Sequence, residues 1–261
     1  MYRKHIFFDC YQTLLDTDID RERQKVDQLN GWEIFVGLLN ERHDIRISPE
    51  LFIELLERRK AEYYQYNDKR VHHHDLLKLV TDVLRKDLQS DLANDAVSEL
   101  LYEYRKVSRG FVTPYPKVRE VLSKLSEKYT LSVASYTQAI FTLSELKKFG
   151  IDEFFSHFIF TSDIGFRKSS LDFYRECVHI VGTEPKDCMM VGDNYHEDIL
   201  VPAELGIEGI WIRNPKTCRD DSPSLGDCPV PIVELESFEA LPKTVDDLFS
   251  RSDKQSDSFA R

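Results

Sequence analysis

A chain of 261 residues, 41% of them apolar and with a formal net charge of −11, is long enough for one large α/β domain or for a core domain with a smaller companion. The acidic balance argues against a general nucleic-acid polymer or membrane-surface binder, since both need a basic face, and leaves room for a small anionic substrate at a locally basic site. Five cysteines at irregular spacing, with no CxxC pair, speak against a zinc site or a disulfide framework. Neither a secretory leader nor an apolar run of about 18 residues is visible, so a reduced, cytoplasmic protein is expected.

The first element, His5-Ile6-Phe7-Phe8, is a short apolar run that enters Asp9 and then the turn-forming segment Cys10-Tyr11-Gln12-Thr13. It reads as a buried strand. An acid at the C-terminal end of such a strand stands where open α/β sheets bind their ligands. From about 20 to 108 the chain is dense in Leu, Glu, Lys, Arg and Tyr, and reads as a run of helices. Ser48-Pro49-Glu50 supplies a hydroxyl cap, a proline at the first helical position and an acid in the first turn. Leu51, Phe52, Leu55 and Leu56 then make an apolar stripe, and Arg59 falls near its centre. His72-His73-His74-Asp75 is expected to be a solvated loop ending in a helix cap, with two further helices over 75–84 and 93–107.

Residues 110–116 form a turn-rich boundary, beyond which strands and helices alternate. Helices are expected over 117–128, 139–148, 170–181 and 195–205, the last three followed by Gly150, Gly182 and Gly206. Strands are expected over 129–134, 158–161, 188–191 and 209–212. This β-α repetition predicts a doubly wound parallel sheet with helices on both faces. Residues 214–231 read as a loop, 232–249 as a short strand and a helix, and 251–261 as a disordered tail.

The strand ends carry the chemistry. Strand one gives Asp9, the next gives Ser135-Tyr136-Thr137, another Gly165-Phe166-Arg167-Lys168, and the fourth Gly192-Asp193 followed by Asp198. With Asp9-x-Tyr11-x-Thr13, Ser135, Lys168 and Gly192-Asp193-x-x-x-x-Asp198 in this order, the chain resembles the haloacid dehalogenase-like hydrolase superfamily over roughly residues 5–245. The resemblance implies a Rossmann-like core at 1–16 and 112–250, with a type 1 helical cap at 17–111. It implies a covalent aspartyl intermediate on Asp9. It also implies Mg²⁺ held by Asp9, the main-chain oxygen of Tyr11, Asp193 and Asp198, since a carboxylate attacking an anionic phosphate needs a cation. Ser135 and Lys168 would bind the transferring group, and Thr13 would hydrogen-bond near Asp9.

One position departs from the phosphatase pattern. The residue two after the nucleophile is usually an aspartate that moves the leaving-group proton, and here it is Tyr11. A phenol with a pKa of about 10 is a poor shuttle at neutral pH. Tyrosine at that position resembles the family's 2-haloacid dehalogenases, in which a cap arginine holds the substrate; Arg59 or Arg58 is placed to serve, with Tyr136 as a further substrate contact. Against this, both metal-binding acids remain. Three readings therefore stand: a Mg²⁺-dependent phosphatase on a small phosphate ester, a dehalogenase-type hydrolase, or a weakly active or regulatory binding protein on the same fold.

Overall fold

The computed structural model describes residues 4–18, 20–218 and 228–259. In chain order, β1 (His5–Phe8) is followed by β2 (Leu15–Thr17), then helices α1 (Arg21–His43), α2 (Pro49–Tyr66), α3 (Leu76–Asp82) and α4 (Asn94–Ser108). After β3 (Val112–Pro114) come α5 (Val118–Ser126), β4 (Thr130–Ser135), α6 (Ala139–Lys148), β5 (His157–Phe160), the single turn α7 (Thr161–Ile164) and α8 (Leu171–Val181). The remainder is β6 (Cys188–Gly192), a wide helical stretch Tyr195–Leu200 that continues into α9 (Val201–Ala203), β7 (Glu208–Arg213), β8 (Ile232–Glu234) and α10 (Leu241–Phe259). The last helix runs on to Phe259, where the sequence reading expects a disordered tail; residues 260 and 261 lie outside the described residues.

Six strands form one parallel sheet in the order β5-β4-β1-β6-β7-β8. β1 is central, and its register is what gathers the motifs. Phe8 pairs with Val133 on one side and with Val191 on the other. The residues after Phe8, Val133 and Val191 therefore emerge side by side at the carboxyl edge. The chain builds outward to β5 and then returns to β6 on the other side of β1, so the order reverses beside Asp9, where an open α/β sheet has its crevice. Ile6, Phe8, Val133, Val191 and Ile210 anchor one hydrophobic face, and Phe7, Ala134, Phe173 and Met190 the other. This alternation follows from the period of two along a strand that is buried on both faces.

Sequence reading does not anticipate the two-stranded ribbon of β2 and β3, in which Leu15 pairs antiparallel with Pro114 and Thr17 with Val112. Three-residue strands carry too little periodicity to register. Through this ribbon the chain leaves the sheet and returns to it. Between the two strands, α1–α4 bury their own cluster, which includes Trp32, Phe35, Phe52, Val80 and Leu101. Gly31 allows the close approach of α1 and α4: a Cβ there would lie 2.8 Å from Cδ2 of Tyr104. The Ser48 cap and the proline start of α2 form as the sequence implies, with Leu51 N donating to Ser48 Oγ at 3.3 Å. Among the described residues no helix is long and apolar enough to cross a membrane.

Candidate active site

The turn after β1 depends on Gln12, which takes a φ of 64° in the left-handed region. For a residue with a Cβ this costs on the order of 1–2 kcal/mol. Its side chain offsets the strain: Nε2 donates to Thr17 Oγ1 at 2.8 Å, and Oε1 accepts from Tyr115 Oη at 2.7 Å. The turn is thus locked to the β2–β3 ribbon, and Asp9 is presented at the sheet edge, 8% exposed.

Asp9 faces three charged groups. Lys168 Nζ donates to Asp9 Oδ1 at 2.7 Å and also pairs with Asp198. Carboxylate oxygens of Asp9, Asp193 and Asp198 all lie within 4.8 Å of one another. Burial opposes the charge of Lys168, but Asp198 and Asp9 outweigh it and hold its pKa well above the ordinary lysine value. Burial and then the charge of Asp9 push Asp193 up from the ordinary carboxylate value. Burial pushes Asp198 up as well, against the opposing pull of Lys168. Three crowded carboxylates sharing one lysine are short of positive charge, and an oxygen-only donor set of this kind suits a hard divalent cation.

Asp198 reaches this cluster because residue 192 is glycine: a Cβ there would collide with the Asp198 carboxylate. Asn194 N donates to Asp198 Oδ2 at 3.0 Å, and Asn194 caps the following helical stretch by accepting from Glu197 N at 3.2 Å. Thr13 Oγ1 donates to Asp193 Oδ1 at 3.1 Å, so it steadies the second acid and not Asp9 itself. Ser135, buried at the end of β4, and the exposed Tyr136 stand on the opposite wall.

Asp9, Ser135, Tyr136, Lys168, Asp193 and Asp198 line a cavity of about 330 Å³. Sequence reading also missed part of the wall: Tyr195, His196, Glu197, Leu200 and Thr217 line it too. A helix after a strand announces its cap, but not which side faces a neighbouring crevice. Among the described residues, none of α1–α4 lines the cavity. Arg58 and Arg59 do not reach the cavity. Both bond Asp87, Arg59 through Nε at 2.9 Å and Nη2 at 2.7 Å, with Glu62 taking its Nη1. The partially buried cation on the apolar stripe is neutralised within its own helical unit, which is the usual condition for a charge there.

Tyr11 lines the cavity beside Asp9, and its hydroxyl is taken up by other partners. Its Oη donates to Glu145 Oε2 at 2.7 Å and lies 2.8 Å from Thr142 Oγ1, and the Arg109 guanidinium sits 3.8 Å over its ring. Burial raises its pKa well above the ordinary tyrosine value, with Arg109 opposing. Glu145 also accepts from Arg105 at 3.0 Å and Arg109 at 3.1 Å, so this buried carboxylate is held by partners from both the sheet side and α4. Nothing in the residue spacing announces this cluster, since its members lie far apart in sequence. The histidine run also differs from expectation. Asp75 does cap α3, but His73 is buried and His74 partly so.

A family model for haloacid dehalogenase-like hydrolases matches residues 3–206. The chain belongs to that family. Within it, the chain is 24% identical over 215 residues to a protein of Methanothermobacter thermautotrophicus named glyceraldehyde 3-phosphate phosphatase, a match covering 82% of this chain and 87% of that one. A Methanopyrus kandleri protein of the same name is 26% identical over 246 residues, covering 94% and 98%. Among solved structures, a 2-haloacid dehalogenase from Pseudomonas syringae pv. Tomato DC3000 superposes with a TM-score of 0.62 at 21% identity, covering 95% of this chain and all of the other. That likeness is one of fold. This chain is thus a hydrolase of the haloacid dehalogenase-like family, with the family's parallel sheet and an acidic cluster at its carboxyl edge.

Proposed function

We propose that this family member is a phosphatase that hydrolyses a small phosphate ester through a covalent intermediate on Asp9. The observation that carries the reading is the trio of Asp9, Asp193 and Asp198 around Lys168. A halide leaves without needing a cation, whereas phosphoryl transfer to a carboxylate brings two anions together. The archaeal relatives named glyceraldehyde 3-phosphate phosphatase support a small phosphorylated substrate, and a cavity of about 330 Å³ suits one. In this reading Asp9, the main-chain oxygen of Tyr11, Asp193 and Asp198 hold Mg²⁺, which supplies charge neutralisation for the phosphoryl group. Asp9 attacks phosphorus as the ester P–O bond breaks and the alcohol leaves with a proton from solvent; water then hydrolyses the aspartyl phosphate and frees inorganic phosphate. Ser135 and Lys168 hold the transferring oxygens, Thr13 steadies Asp193, and Tyr136 meets the substrate. Residues 17–111 act as a cap on a core formed by 1–16 and 112–250. The five free cysteines agree with a cytoplasmic setting.

One observation favours dehalogenase-type hydrolysis as the second reading. The Tyr11 hydroxyl is already given to Glu145, so this side chain has no proton to offer a leaving oxygen. The test is phosphate release from 4-nitrophenyl phosphate with Mg²⁺ and with EDTA, beside chloride release from 2-chloropropionate. Mg²⁺-dependent phosphate release supports the phosphatase; chloride release unaffected by EDTA, with no phosphate released, rejects it in favour of the dehalogenase.

A further inference from the structure

The loop between α2 and α3 is bonded to two active-site loops at once. Arg167 N donates to Val71 O at 2.7 Å and His73 N donates to Gly165 O at 2.8 Å, and Arg167 Nε reaches His72 O at 3.0 Å. This pins the segment that ends in Lys168. The same loop grips the turn after Ser135. Gln138 Nε2 donates to His74 O at 2.9 Å, and Gln138 Oε1 accepts from Leu76 N at 2.8 Å. His73 lies between the two grips. Its Nδ1 is 2.7 Å from Thr161 Oγ1, which accepts from Thr137 N at 3.0 Å, and its ring packs 4.5 Å from that of Tyr136.

The hydrogen bonds fix the state of this ring. Gln138 must turn its oxygen to Leu76 N, so its amide nitrogen faces His73 Nε2 at 3.2 Å and donates to it. Nε2 is then bare, and Nδ1 carries the proton it donates to Thr161. Burial, with His74 and Arg167 nearby, lowers the pKa of His73 to about 3, in keeping with a neutral ring.

We propose that Val71–Leu76 is a clamp and that His73 is its positioning residue, setting Tyr136 and the Ser135 turn through Thr161 while the adjoining backbone sets the Lys168 loop. The helical insert would then act on catalysis by holding loops in place; among the described residues α1–α4 give none to the cavity. The effect on turnover rests on the phosphatase reading; the effect on loop order does not.

The test compares wild type with His73→Ala, His73→Asn, His73→Gln and Thr161→Val. Amide hydrogen exchange is followed over 135–138 and 165–168, together with kcat and KM for 4-nitrophenyl phosphate in Mg²⁺. An asparagine amide takes the place of Nδ1, and a glutamine amide that of Nε2. His73→Ala and Thr161→Val should speed exchange at Thr137 and lower kcat/KM about tenfold to a hundredfold, the scale of an ångström-sized misplacement. His73→Asn should recover most of this and His73→Gln little. Thr161→Val removes the acceptor of Thr137 N itself and sets the full extent of the loss, so the contrast of His73→Asn with His73→Gln decides if His73→Ala does not fold. Unchanged exchange overturns the proposal, as does faster exchange with kcat and KM within about twofold of wild type, which would make His73 structural only. If wild type hydrolyses no phosphate ester the phosphatase reading fails, and the exchange comparison alone decides the clamp.

Discussion

Replacing Lys168 by methionine isolates the charge balance of the site. The lysine is 2% exposed and is the only cation the described contacts give to both Asp9 and Asp198. Methionine keeps most of its length but leaves three close carboxylates without that charge. Removing one partner of a buried ion pair costs about 3–5 kcal/mol. At about 2–4 °C per kcal/mol for a chain of this size, the metal-free variant should melt roughly 6–20 °C below wild type. A divalent cation among the acids restores the missing charge, so millimolar Mg²⁺ should close much of that gap. Under the proposed mechanism activity should not return with it, because the cation cannot stand where the ammonium would hold a transferring oxygen. Calorimetry in EDTA and in Mg²⁺, beside phosphate release, reads both effects. A metal-free variant melting within about 2 °C of wild type would refute the account of Lys168 as the counter-charge of the acids.

Tyr11→Phe should cost about 1.5–3 kcal/mol in urea denaturation, the range for a hydrogen bond to a charged group, while kcat stays within about threefold; a loss of about 10² or more would mean that the hydroxyl moves a proton after all. Arg59→Ala should leave kcat/KM within about twofold and lower stability by about 1 kcal/mol through the loss of its Asp87 pair; a large rise in KM would return Arg59 to the substrate. Gly192→Ala should abolish the Mg²⁺-induced rise in melting temperature, because the new Cβ displaces the Asp198 carboxylate; an unchanged rise would remove Asp198 from the cation site. Burial holds the pKa of His73 at about 3 and those of His5 and His74 at about 4, against 6.5 when unfolded. The unfolded chain therefore takes up these protons first. Stability is therefore unaffected by them above pH 6.5 and falls as the pH drops toward about 3–4, with His73 alone accounting for a loss of roughly 2 kcal/mol by about pH 5. His73→Asn should flatten that part of the stability–pH curve, and an unchanged curve would contradict the buried neutral ring.

The sheet and most of the chemistry at its edge are legible in the order of the residues alone. Asp9, Ser135, Lys168 and Asp193 each follow a short apolar strand or its loop, and a parallel sheet has no other way to place such strand ends than along one edge. The glycine stops after α6 and α8 and the proline start of α2 were legible because they are local: a cap needs only neighbouring residues. The folded chain was needed for side chains whose partners lie far away in the chain. Arg59 looks unpaired on a helical wheel, and its partner Asp87 is 28 residues on. Tyr11 reads as a missing proton shuttle, yet Glu145, 134 residues away, gives its hydroxyl another use. His73 reads as a solvated loop residue and is buried against Thr161, 88 residues away. Periodicity and capping reach across one turn of helix or one strand pair, so they reveal where a side chain starts. Which distant group meets it depends on how the helical insert docks on the sheet, and no local pattern encodes that.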